Sequence, residues 1–341
     1  MSARRAPWCA LLLLPLALAA GTARAHCGSA YCLVNTSWST QGLWSAPGSR
    51  LDLRYEYIDQ DTLRRGRGAG DAEEAGAPTP PARRVAGETA GAAASPHHEA
   101  TPHTPLRTLN RVTSLSFEHS FDRRFGVAVI VPWVARLHDA LYQGAHGSHV
   151  HTTEFSRLGD VRVLGRWQAA ETAGLRFGLD AGVKLPTGAT DVPGPHGAEY
   201  ERNLQPGSGT TDAILGVYAN GHLGATGAWF AQATAQSALA PHAGYAPGNT
   251  LQLDAGLSQA FCTRTLGLLQ LNARTSGRDR GAEAAPEDSG ARSLSLSPGL
   301  DVSLSPGLQL YAFVEKPLWR RVNGEQLVAG WAAAAGVNWM F

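Results

Sequence analysis

The residues of greatest chemical reach in this 341-residue sequence are twelve histidines and four cysteines. His97, His98 and His103 fall in one Gly-, Ala- and Pro-rich stretch, and His146, His149 and His151 in another. His149-Val150-His151 would place two imidazoles on one side of an extended segment, the beginning of a weak copper, zinc or nickel site. No carboxylate or thiolate completes that shell, and a solvated polar loop accounts for the same residues. His98-Glu99-Ala100-Thr101-Pro102-His103 imitates the zinc-hydrolase H-E-x-x-H, but the second His comes one residue late and Pro102 breaks the helix that would align the pair. A nucleophile elbow and a phosphate loop are both missing. Gly66, Gly68 and Gly70 lack the strand–helix setting of a dinucleotide site. The expectation is a non-enzyme that needs no cofactor.

The cysteines take their meaning from the first residues. Arg4 and Arg5, an apolar run from Cys9 to Ala20 and the Ala23-Arg24-Ala25 site read as a signal peptide over 1–25. In an oxidising compartment Cys27 and Cys32, five apart, can close a small disulfide loop; a metal or redox role is the alternative, with C-x4-C in place of C-x-x-C. Cys262 is left without an evident partner. Residues 26–49 then form a periplasmic N-terminal segment or plug, and 50–341 the body of the protein.

That body alternates with a period of two. In Leu175–Leu185 the odd positions are Leu, Phe, Leu, Ala, Val and Leu, and the even ones Arg176, Gly178, Asp180, Gly182 and Lys184. One apolar face and one polar face is strand patterning. About twelve such segments occur, near 50–58, 108–121, 125–134, 157–168, 173–186, 211–221, 228–239, 250–261, 265–275, 292–304, 308–319 and 327–341. Each approximates the ~9–11 residues with which a tilted strand crosses a bilayer. A soluble sandwich or small barrel shares the alternation. The connections separate the two, because long ones (59–107, 135–156, 187–210, 276–291) alternate with short turns, as outer loops alternate with periplasmic turns. Aromatics gather near both predicted strand ends, as at two membrane interfaces.

The expected fold is therefore all-β: an antiparallel up-and-down transmembrane β-barrel of about twelve strands in the outer membrane of a Gram-negative bacterium. Parity directs Asp52, Arg54, Glu56, Glu118, Arg162, Arg166, Arg176, Asp180, Lys184, Asp254, Gln270, Asn272, Arg274 and Glu315 into the lumen. Both signs are present, so the set either lines a narrow wet path or neutralises itself as a fill. A net charge of +1 excludes a nucleic-acid binder of the electrostatic kind. Charged residues make up only 17% of the chain, the result of turning every second strand residue to lipid.

Gly182-Val183-Lys184-Leu185-Pro186-Thr187-Gly188, followed by Gly207-Ser208-Gly209-Thr210-Thr211-Asp212, resembles the phenol-degradation meta-pathway family of outer-membrane barrels. The likeness is detailed over roughly 160–220, with Lys184, Pro186, Thr187 and Gly188 as its signature. It implies a transporter or porin-like channel of unassigned substrate. Phe341, at the end of the last strand, resembles the signal read by barrel insertion machinery. The expected partners are outer-membrane lipid, lipopolysaccharide, that machinery and a small solute. Two other classes stay open: an accessory in metal handling or envelope assembly, and a barrel hydrolase of envelope lipids or glycans, which would need a serine beside the outward-facing His119.

Overall fold

The computed structural model describes residues 33–43, 46–69, 103–144, 147–194 and 200–341. The signal peptide, Cys27, Cys32, His97, His98 and His146 lie outside the described residues.

Strand β1 (Gly48–Arg65) opens the barrel and carries a two-residue strand, β2 (Gly68–Ala69), on its outer end. Next come β3 (His103–Ser120), β4 (Phe125–Gly144), β5 (Gly147–Leu158), β6 (Arg162–Thr172) and β7 (Leu175–Lys184). The circuit continues through β8 (Asp212–Leu223), β9 (Gly227–Ala238), β10 (Thr250–Cys262), β11 (Thr265–Ser276), β12 (Ala291–Ser305), β13 (Leu308–Val322) and β14 (Glu325–Met340). Neighbours pair antiparallel, and β14 returns to β1 in a register running from Arg50↔Met340 to Arg65↔Glu325. Twelve strands close the barrel, so no edge is left unpaired in the ring.

Three expected connections differ. The stretch 135–156 is a hairpin, in which β4 pairs with β6 over Phe125–Ile130 and then with β5 over Trp133–Gly144. Residues 320–326, left between the expected strands 308–319 and 327–341, mostly extend β13 and β14, which a tight turn at Asn323–Gly324 joins. Past the bilayer neither strand face meets lipid, so apolar–polar alternation fades although the backbone ladder continues. The loop expected at 59–107 is shorter for the same reason, since β1 extends to Arg65 and β3 starts at His103.

The barrel is apolar outside and polar inside. Leu53, Leu115, Phe117, Val217, Leu253 and Leu269 stand exposed on the outer face, while Asp52, Glu118, Asn220, Gln270, Asn272 and Ser297 are buried within. Four inward aromatics depart from that pattern, and each faces a glycine on the next strand: Tyr218 opposite Gly178, Phe230 opposite Gly256, Phe313 opposite Gly299 and Tyr311 opposite Gly336. Each ring fills the place that a Cβ on its glycine would take.

Candidate functional site

The lumen is occupied from both ends. On the side of the short turns, residues 33–43 run inside the barrel and bond to its wall. Leu33 N donates to Glu315 Oε2 (2.7 Å), Asn35 Nδ2 donates to Gln232 Oε1 (2.5 Å), and Asn220 Nδ2 donates to the Thr40 carbonyl (2.9 Å). Trp38 is buried against Leu268, Tyr311 and Phe313, with Trp38 and Tyr311 edge to face at 5.2 Å. A chain crossing the lumen must give its backbone groups partners, and the barrel's amide side chains provide them.

On the outer side, the connection from β7 to β8 turns into the barrel. Val192, Tyr200 and Leu204 are buried with Leu63, Phe155 and Leu327. Arg136 binds the Leu204 carbonyl, while its Nε donates to Asn110 Oδ1 (2.6 Å). Gln205 ties the fold-back together, accepting from Val192 N (3.0 Å) and donating to the carbonyls of Val192 (3.0 Å) and Tyr200 (2.9 Å).

The Lys184–Gly188 and Gly207–Asp212 segments build the foot of this fold-back. Lys184 Nζ lies 3.2 Å from Asp160 Oδ2 and 3.0 Å from Asp212 Oδ2, and it also bonds to Ser208. Asp160 accepts from Gly188 N (3.0 Å) and Ser208 N (2.9 Å), while Thr187 Oγ1 accepts from Val161 N (2.9 Å). Gly188 and Gly207 are so close that a Cβ on either would strike the other's backbone. Pro186, lacking an N–H, ends β7 where the chain leaves the ladder. The signature residues thus fasten the inward loop to the β5–β6 junction.

Between segment 33–43 and the fold-back lies a cavity of about 470 Å³. Arg54, Glu56, Arg162, Lys184, Arg274 and Glu315 of the sequence-selected set line it. The other members lie nearer the short-turn end or in the wall around segment 33–43. Glu118 is flanked by Arg50 (2.6 Å) and Arg166 (3.2 Å), Arg176 pairs with Glu171 (3.4 Å), and Asp180 accepts from Gln232 (3.0 Å). Asp254 and Asn272 bond to one another (2.7 Å), and Gln270 bonds to Asn35. Arg136, Arg202 and Arg320 were missed by sequence reasoning. Arg136 would have been found by continuing the even, inward parity of β4 past Trp133. Nothing in the sequence marks a loop residue such as Arg202 as folded inward. Arg320 lies beyond a register shift between β12 and β13, where Leu294 pairs with Trp319 and Ser295 with Pro317, so that Leu318 is an extra residue that breaks the parity count along β13.

His149 and His151 lie on β5 beside Tyr142, each ring centroid 6.1 Å from it, while the side chain of His103 at the start of β3 lies outside the described set. Among the described residues no three His, Cys, Asp or Glu side chains converge as a metal site. His119 does have a serine beside it, with Ser49 Oγ 2.9 Å from His119 Nδ1. The ring also packs edge-on against Phe121 at 4.8 Å, and among the described residues no carboxylate orients it as a triad's third member would. In the loop between β11 and β12, burial pushes the Asp279 carboxyl above its ordinary range, opposed by hydrogen bonds from Gly248 N (2.8 Å) and Tyr245 Oη (3.0 Å).

The family model described as "Putative MetA-pathway of phenol degradation" matches residues 106–324. The chain belongs to this family. The family member is an outer-membrane β-barrel of a Gram-negative bacterium, with the membrane crossed by strands. Its fold is similar to that of the COG4313 outer membrane channel from Pseudomonas putida F1, at 11% identity and a TM-score of 0.57, over 87% of this chain and 97% of that one. The NanC porin is similar at 8% identity and a TM-score of 0.44, over 85% of this chain and 100% of that one. No curated protein sequence matches the chain.

Proposed function

We propose that this protein is a passive outer-membrane channel for a small solute, with residues 26–49 as its periplasmic plug. One observation carries the reading: a polar cavity of about 470 Å³ lies on the barrel axis between two pieces of chain held by side-chain hydrogen bonds. A barrel serving only as an anchor has no need of such a space, since its interior can be filled outright. Membership of a family described by a degradation pathway supports a role in solute supply, and the name of the channel from Pseudomonas putida F1 supports conduction. In this reading the outward apolar band meets lipid and lipopolysaccharide, and Phe341 is read by the insertion machinery. The cavity-lining charges contact the solute, while Pro186, Thr187 and Gly188 hold the outer constriction.

Planar-bilayer recording of the purified, refolded protein tests the proposal. Discrete, reproducible conductance steps are the expected result. A correctly folded barrel that stays electrically silent across a range of voltages and small test solutes would remove it.

A further inference from the structure

The central cavity is lined by seven cationic side chains and five acidic ones, and the acids are already committed. Asp160 and Asp212 share Lys184, Glu56 pairs with Arg54, Glu315 accepts the amide of Leu33, and Asp279 accepts from Gly248 and Tyr245. Three guanidiniums differ. Among the described residues, Arg162, Arg202 and Arg320 have no carboxylate within ion-pair distance. Arg202 donates to the carbonyls of Thr190 (3.1 Å) and Ser208 (3.2 Å) and lies over the Tyr245 ring, while its Nε is buried without a hydrogen-bond partner. Arg320 donates to the Ala329 carbonyl (2.9 Å). A guanidinium stays charged at any physiological pH and presents a planar fork that suits an oxyanion.

The wall beside Arg162 has the opposite character. Arg162 is the register partner of Ile130, and the inward residues near it on β1, β3 and β4 include Ile58, Val112, Pro132 and Val134, all lining the same cavity. A polar lumen built solely to pass water and salt would not carry an apolar stripe next to a cation that makes no close ion pair. Together the stripe and the cations suit a solute with one charged end and one apolar end.

We propose that the central cavity is a binding site for small organic carboxylates, the carboxylate meeting the Arg162, Arg202 and Arg320 guanidiniums and the apolar body resting on the Ile130–Val112 wall. The inference rests on the channel reading but can fail separately from it. Glu56 and Glu315 act on Arg162 and Arg320 only from beyond ion-pair distance; a bound carboxylate would supply the close ion pair that these guanidiniums lack, in a site where water competes weakly.

The test records reversal potentials of the full protein in a bilayer under a potassium chloride gradient, then with butyrate replacing chloride. Butylammonium chloride serves as the cationic control. Wild type is expected to favour anions, to conduct butyrate and to exclude butylammonium. In a variant combining Arg162→Gln and Arg320→Gln, the anion preference should fall by about five-fold, the effect of roughly one screened charge interaction. Conducting channels that favour cations, or whose selectivity the double variant leaves unchanged, would overturn the anion site while leaving the channel reading intact. If the protein does not conduct, calorimetric titration of the folded protein with potassium butyrate decides the site alone. Saturable heat that disappears in the double variant supports it, and the absence of saturable heat in wild type overturns it.

Discussion

Asn35 and Gln270 exchange two hydrogen bonds: the Asn35 amide donates to Gln270 Oε1 (3.0 Å), and Gln270 Nε2 donates back to the Asn35 carbonyl (2.8 Å). A side-chain amide thereby imitates one rung of a β-ladder and docks the luminal segment on the barrel wall. Gln270→Leu keeps the approximate volume but leaves both backbone groups of Asn35 without those partners, at about 1–3 kcal/mol for a buried polar group. The expected result is a looser segment, seen as larger and noisier single-channel currents with the barrel's thermal stability little changed. Currents indistinguishable from wild type would show that this contact does not hold the segment.

Lys184 is buried between Asp160 and Asp212. Lys184→Met removes the cation and leaves two buried carboxylates facing each other, a situation that typically destabilises by about 3–5 kcal/mol. The damage should concentrate in the β7–β8 connection, because Asp160 also holds Gly188 and Ser208. Protease nicking within 185–211 is expected before the barrel opens on semi-native gels. Simultaneous loss of barrel and loop would contradict a localised fastening.

Phe313 occupies the space above Gly299, its directly paired neighbour. Gly299→Ala forces the ring or the strand to shift, an overpacking effect of about 1–3 kcal/mol. The urea midpoint of the detergent-folded barrel should fall. Gly330→Ala is the control, since a Cβ there meets nothing within 4 Å. Equal effects at the two positions would remove the packing explanation.

Asp279 gives a dependence on pH. Burial raises its carboxyl in the folded protein above the unfolded value, so the folded state holds the proton more tightly. Its contribution to stability is complete below the unfolded pKa and is lost as pH rises through the raised one. Asp279→Asn keeps an acceptor oxygen for Gly248 N, places an Nδ2 that can donate to Tyr245 Oη where the second carboxylate oxygen stood, and cannot ionise. The stability of the Asn variant relative to wild type should therefore be greatest near neutral pH and decline toward pH 4. A difference that stays flat across that range would show that Asp279 does not titrate as its burial implies.

The barrel was legible because the bilayer writes its requirement on every second residue: Leu53, Leu115 and Leu253 face out, and Asp52, Glu118 and Asp254 face in. The inward charges followed from the same parity. Where lipid stops imposing alternation the reading weakened, so the β4–β5 hairpin read as a loop although its backbone pairs continuously from Trp133↔Leu158 to Gly144↔Gly147. The cavity itself was not legible. It depends on Arg202 being carried inward by a loop and on Arg320 lying past a register shift, both of which are set by long-range packing and not by local pattern.

The inversion of polarity has a consequence for biogenesis. A closed ladder that is oily outside and wet inside has no folded form that water would tolerate, whereas the extended chain, with greasy and polar residues interleaved, disperses both along its length. Adopting shape and leaving the aqueous phase must then be a single event. Lesions in the ladder would accordingly appear as chain lost in transit to the membrane, before any defective pore could assemble there.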